Sequence, residues 1–172
     1  MDKQGQEIVH GTALEIFGYG VVITGNSGSG KSELALKLID RQHKYIADDL
    51  VSIKQDDNNK LWLTPCKTPF VHLGGIGFVN LAEIYGNHVT VGKLTRCNLF
   101  IELENSSMDN IDRVVGSSTS INILDQKIPS VKLFIAQNRP LELLVEILVR
   151  KQQQLDNGYD DNQTFIDTIS QK

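Results

Sequence analysis

Residues 25–32, Gly25-Asn26-Ser27-Gly28-Ser29-Gly30-Lys31-Ser32, fit the pattern G-x-x-x-x-G-K-[ST]. The apolar run Val21-Val22-Ile23-Thr24 precedes it, and Leu34, Ala35, Leu38 and Ile39 follow at helical spacing. This is the strand, tight loop and helix that the pattern requires. The chemistry accounts for the residue types. Glycines let backbone N–H groups converge on phosphate oxygens, and the helix dipole favours their charge. Lys31 is placed to reach β- and γ-phosphates, and the Ser32 hydroxyl to ligand a Mg²⁺ ion bridging two of them. All eight residues are therefore candidates for binding a nucleoside triphosphate with magnesium.

The rest of the chain reads as one α/β domain spanning residues 1–172. Ile8 to Phe17, with Gly18-Tyr19-Gly20, predicts a hairpin that feeds the strand before the loop. Tyr45-Ile46-Ala47 resumes the strand signal after the helix. Val51-Ser52-Ile53 and Leu61-Trp62-Leu63 flank Asp56-Asp57-Asn58-Asn59 as a second hairpin, so antiparallel pairing mixes with the helical crossover. Gly74-Gly75-Ile76-Gly77 marks a loop or a close backbone approach. Leu99-Phe100-Ile101 and residues 131–135 read as later strands, with a polar loop from Asn105 to Ser120 between them. Pro140 suits a first helical position; Leu141, Leu144, Val145 and Leu148 define one face, and Asn157-Gly158 is a stop. A last short helix is expected at Asn162 to Ile169.

Composition narrows the partners. A net charge of −4 among 172 residues argues against a surface devoted to nucleic-acid phosphates or anionic membranes. No apolar stretch approaches the ~20 residues that span a bilayer, and the polar start, Met1 to Glu7, is unlike a signal peptide. The expectation is a soluble, unexported protein. Cys66 and Cys97 have no metal-ligand neighbours in sequence and read as free thiols.

The acceptor side of the chemistry points to Asp48-Asp49, at the end of the first strand after the loop helix, where an α/β sheet presents its carboxyl edge to ligands. One carboxylate there can take a proton from a substrate hydroxyl and the other can support Mg²⁺. Both are candidate catalytic residues, with Asp49 and Ser32 taken as the metal pair. In a regular strand the two would face opposite sides, and a strand end can relax that restriction.

Taken together, His10-Gly11, residues 18–25, the loop, and Ala47-Asp48-Asp49-Leu50-Val51 closely resemble the catalytic domain of HPr kinase/phosphorylase. The resemblance runs from about residue 8 to Asp160 and takes in Gly77, Asp112-Arg113, Glu146 and Gly158-Tyr159. It implies a mixed-sheet P-loop domain of the HPr kinase/phosphoenolpyruvate carboxykinase type with C-terminal helices. It further implies a cytoplasmic, ring-like hexamer that uses ATP and Mg²⁺ to phosphorylate a serine of HPr, the phosphocarrier of the bacterial sugar phosphotransferase system. By the same likeness Lys31 and Ser32 match the nucleotide and magnesium positions, and Asp48-Asp49 matches the acidic pair holding the general base. His10 matches an active-site histidine, and Arg113 matches an arginine whose guanidinium can stabilise phosphoryl oxygens.

The likeness also has gaps. His72 and Gly74 stand where the family has a glutamate and an arginine, which removes a hard oxygen ligand for Mg²⁺ unless Glu102 or Glu104 compensates. Arg139 matches one of two arginines before the C-terminal helix, and Ala136 stands at the other. The N-terminal domain of full-length members is missing, as in a natural short form or a fragment. The leading expectation is a serine kinase acting on HPr or an HPr-like carrier, with phosphorylase activity in doubt. An ATP-binding regulatory module without catalysis and a kinase of small-molecule hydroxyls are the alternatives.

Overall fold

The computed structural model describes residues 5–90, 93–105 and 118–170. In chain order, β1 (Gln6–His10), β2 (Thr12–Ile16) and β3 (Tyr19–Gly25) lead into α1 (Lys31–Asp40). Then come β4 (Lys44–Ala47), β5 (Leu50–Gln55), β6 (Leu61–Thr64), β7 (Phe70–Leu73) and β8 (Gly77–Asn80). A short helix α2 (Leu81–Tyr85) and a 3₁₀ turn precede the long strand β9 (Thr95–Glu104). β10 (Ser118–Ile123), β11 (Gln126–Phe134), α3 (Leu141–Asp156) and α4 (Asp161–Ser170) follow.

Val21, Val22 and Ile23 are all fully buried because β3 is covered on both faces, which calls for an unbroken apolar run in place of alternation. Val21 and Ile23 join Leu34, Ala35, Leu38 and Ile39 of α1 and Val145 and Val149 of α3 in one core. Val22 lies in a second core with Ile46, Ile53, Leu63 and Phe100. The main sheet runs β1-β5-β6-β9-β3-β2-β4, with β11 also on β9 and β10 paired to β11. β3, β9 and β11 are parallel neighbours, whereas β2 lies antiparallel between β3 and β4. β4 therefore runs with β3. The ends of β3 and β4, and the start of β2, meet at one edge of the sheet.

The architecture is the expected α/β one, a mixed sheet with C-terminal helices. The hairpin before the loop is β2–β3, but Ile8 to Phe17 is not one arm: it breaks at Gly11, with β1 pairing to β5. A Cβ on Gly11 would lie 2.6 Å from the Ile23 carbonyl oxygen, so the crossing point admits no side chain. The Asp56–Asn59 turn joins β5 to β6 as expected, and the Asp56 carboxylate accepts from the Asn58 and Lys60 amides and from Trp62 Nε1. Gly74 to Gly77 turns the β7–β8 hairpin; Cβ atoms at Gly74, Gly75 and Gly77 would meet nothing within 4 Å, so no close approach is involved. The expected loop to Ser120 ends earlier, because Ser118 already opens β10; residues 106–117 lie outside the described residues. Cys66 and Cys97 are free, and burial pushes the Cys97 thiol up to about 12. Among the described residues no helix is long and apolar enough to cross a membrane.

Glu146 ties α3 to the rest of the molecule. Arg41 donates to it from Nε at 2.7 Å and from Nη2 at 2.5 Å, and His43 Nε2 lies 2.9 Å from Oε1. The Arg41 hydrogen bonds foremost, with His43 adding, hold the Glu146 carboxyl below its ordinary value of 4.5 against the opposing effect of burial. A carboxyl depressed in the folded state stabilises the fold above its unfolded range, and that contribution is lost as pH falls through the folded value. Glu146→Gln is therefore expected to melt below the wild type at about pH 7, with the gap closing toward about pH 3. Thermal unfolding of both proteins across that range checks it, and a gap that does not depend on pH would contradict it.

Candidate active site

At Gly25, where β3 gives way to the loop, φ is +144°, and a Cβ there would meet the Leu103 carbonyl and Ser29 Oγ at 2.9 Å. Gly30 ends the loop as the N-cap of α1, and no side chain caps that helix. The amides of its first turn are thus available to an outside acceptor, which is the arrangement that binds anions. Lys31 is nearly buried and arches back, donating from Nζ to the carbonyls of Gly25 and Asn26, each at 3.0 Å. Within the same loop Ser29 Oγ is buried and has no hydrogen-bond partner among the described residues.

Asp48 and Asp49 sit beside this loop and face different ways. Asp49 has a φ of +68°, and Leu50 N–H donates across it to the Asp48 carbonyl at 2.9 Å, closing a three-residue turn. Gly11 N–H donates to the Asp49 carbonyl at 3.1 Å and pins the turn to the start of β2. The Asp48 carboxylate points inward. Its Oδ1 accepts from the hydroxyl of Thr12, and its Oδ2 accepts from Ser32 Oγ at 2.9 Å. The Asp49 carboxylate points outward, its Oδ1 2.8 Å from His10 Nε2, and the two side chains are 75% and 60% exposed. Beneath them Tyr45 is buried, and burial first, then Cys66 and Asp48, push its phenol far up, so it stays neutral.

Over residues 4–169 the chain matches the family described as HPr Serine kinase C-terminal domain. It belongs to that family. The HPr kinase/phosphorylase of Streptococcus thermophilus is 32% identical over 165 residues, covering 94% of this chain and 53% of that protein. The HPr kinase/phosphorylase of Streptococcus pyogenes is 30% identical over 166 residues, covering 95% of the chain and 53% of that protein. The chain thus spans about half the length of the curated relatives it matches. The structure of the Hpr(Ser) kinase/phosphatase from Coxiella burnetii superposes with a TM-score of 0.80 at 31% identity, over 92% of this chain and 98% of that one.

Within this HPr kinase domain the structure gathers His10, Lys31, Ser32, Asp48 and Asp49, with the loop residues 25–30, at one sheet edge. It does not bring Ser32 to Asp49, the pair expected to hold metal; Ser32 meets Asp48, because the turn at Asp49 swings that carboxylate to the His10 side. Arg113 lies outside the described residues. His72 packs its ring edge-on against Phe78, with centroids 5.2 Å apart. Glu102 and Glu104 share Lys132, whose Nζ lies 3.9 Å and 3.1 Å from them. Arg139 donates to the Phe134 carbonyl at 2.8 Å. Thr12 escapes a reading by sequence. Its one signal is a hydroxyl beside a glycine at the head of a mostly apolar strand.

The residues fit Mg²⁺. Among the described residues no three His, Cys, Asp or Glu side chains cluster, but this ion rarely takes an all-protein cage, binding instead one or two protein oxygens with phosphates and water. Ser32 Oγ and Asp48 Oδ2 are hard oxygens 2.9 Å apart, close to the ~3 Å that separates adjacent ligands in an octahedron of that size.

Proposed function

We propose that this chain is an ATP- and Mg²⁺-dependent protein serine kinase acting on HPr or an HPr-like phosphocarrier. The observation that carries the reading is the divided acid pair: Asp48 is turned to the loop and Ser32, and Asp49 to the open surface with His10. Phosphoryl transfer needs both functions. Negative charge must be held in place on the donor side, and a base must stand where an acceptor hydroxyl can approach.

In this mechanism the loop amides and Lys31 cradle the phosphates, with the Lys31 ammonium exchanging the Gly25 and Asn26 carbonyls for phosphate oxygens. Ser32 and Asp48 hold the metal, whose charge offsets that of the phosphates when it is bound. Asp49, oriented by His10, takes the proton of the serine hydroxyl as its oxygen bonds to the γ-phosphorus. The bond to the β-phosphate oxygen breaks and ADP departs. The proposal covers the forward direction; His72, Gly74 and Ala136 weigh against efficient reversal by inorganic phosphate. By family likeness it also extends to a cytoplasmic homo-oligomer.

The test is incubation with ATP, Mg²⁺ and HPr, followed by mass spectrometry of the carrier. One added phosphate on an HPr serine is expected. Unmodified HPr under conditions where ATP is bound would contradict the proposal and favour a binding module, and label on a small hydroxyl compound alone would favour a different kinase class.

A further inference from the structure

The contact between Thr12 and Asp48 has no counterpart in the reaction as described so far. Thr12 is fully buried at the start of β2, and its hydroxyl donates to Asp48 Oδ1. The other oxygen of the same carboxylate accepts from Ser32. A carboxylate held at both oxygens cannot rotate. Thr12 is itself stiff, since β-branching restricts χ1 and β2 is hydrogen-bonded to β3 on one side and β4 on the other. Its bond to an ionised acceptor is of the stronger, charge-assisted kind. The adjacent Gly11 N–H fixes the Asp49 carbonyl, so two consecutive residues, Gly11 just before β2 and Thr12 at its start, hold the two aspartates, one through its backbone and one through its side chain.

We propose that Thr12 is a positioning residue for magnesium: it touches neither nucleotide nor acceptor, and it presents Asp48 Oδ2 beside Ser32 in the orientation that receives the ion. This rests on the reading of Ser32 and Asp48 as the metal pair. Valine keeps the shape of threonine and lacks the hydroxyl, so Thr12→Val leaves Oδ1 without that donor and frees the carboxylate to turn. Thr12→Ser retains the hydroxyl.

Calorimetric titration of a non-hydrolysable ATP analogue into the full chain, once with Mg²⁺ and once with EDTA, tests the inference. Thr12→Val is expected to bind about tenfold more weakly with Mg²⁺, the lower end of what losing a hydrogen bond to a charged group costs, and within about twofold of wild type in EDTA. Thr12→Ala should show the same selective loss, which keeps the test intact if one variant folds poorly, and Thr12→Ser should restore the magnesium effect. An equal loss in both conditions, or none in either, overturns the positioning role. If unaltered protein binds the analogue equally with Mg²⁺ and with EDTA, the metal pair itself falls, and the inference with it.

Discussion

Asp49→Asn is expected to slow phosphoryl transfer to the acceptor serine by about 10²–10⁴-fold, the usual worth of a general base, while nucleotide affinity stays within about twofold. The reasoning is local. Asn has nearly the same shape as Asp and accepts the left-handed backbone that the φ of +68° at this position requires. The turn, with the Gly11 and Leu50 amide bonds that define it, therefore survives. The side chain is three-quarters exposed, so little packing is disturbed. What disappears is the carboxylate that can take a proton. Transfer rates at saturating ATP, beside a titration of the nucleotide, check the prediction; loss of affinity at an undiminished rate would place Asp49 on the donor side.

Lys31→Ala is expected to lower transfer by at least about 10²–10³-fold, as removal of a preorganised donor at developing charge does, and also to weaken ATP binding. Here both properties move together, because the same ammonium serves bound phosphates and the transferring group. The substitution also deprives the Gly25 and Asn26 carbonyls of their side-chain donor, so the loop loses a tie from its own helix. Lys31→Arg should not rescue the rate, since a planar fork cannot replace a compact charge in a loop this tight. Single-turnover measurements on both variants decide it, and near-normal transfer by either would contradict the role.

The segment from β3 through α1 to β4 was legible in the sequence because burial there is extreme. A strand covered on both faces must be continuously apolar, and α1 must carry its stripe toward the same core. Elsewhere the signal weakens with exposure. β7 and β8 are four residues each and bury one side at most, and β10 begins with three exposed hydroxyl residues, Ser118, Thr119 and Ser120. Such segments share their composition with loops. The break between β1 and β2 turns on one glycine whose reason is a carbonyl of another strand, a fact of tertiary structure.

At the site, the loop and the acidic pair were identifiable from residue types and spacing, and His10 from family likeness alone. The division of the pair was not, because it depends on a positive φ at Asp49 that many turns could have replaced. Thr12 became visible only once β2 and β4 were adjacent, 36 positions separating it from Asp48.

That division is the central claim, and titration of an ATP analogue into Asp48→Asn and Asp49→Asn, each with Mg²⁺ and with EDTA, tests it most directly. The account predicts that Asp48→Asn loses most of the affinity gained from Mg²⁺ and that Asp49→Asn keeps it. The reverse pattern, with the magnesium effect lost at Asp49 and retained at Asp48, would contradict it.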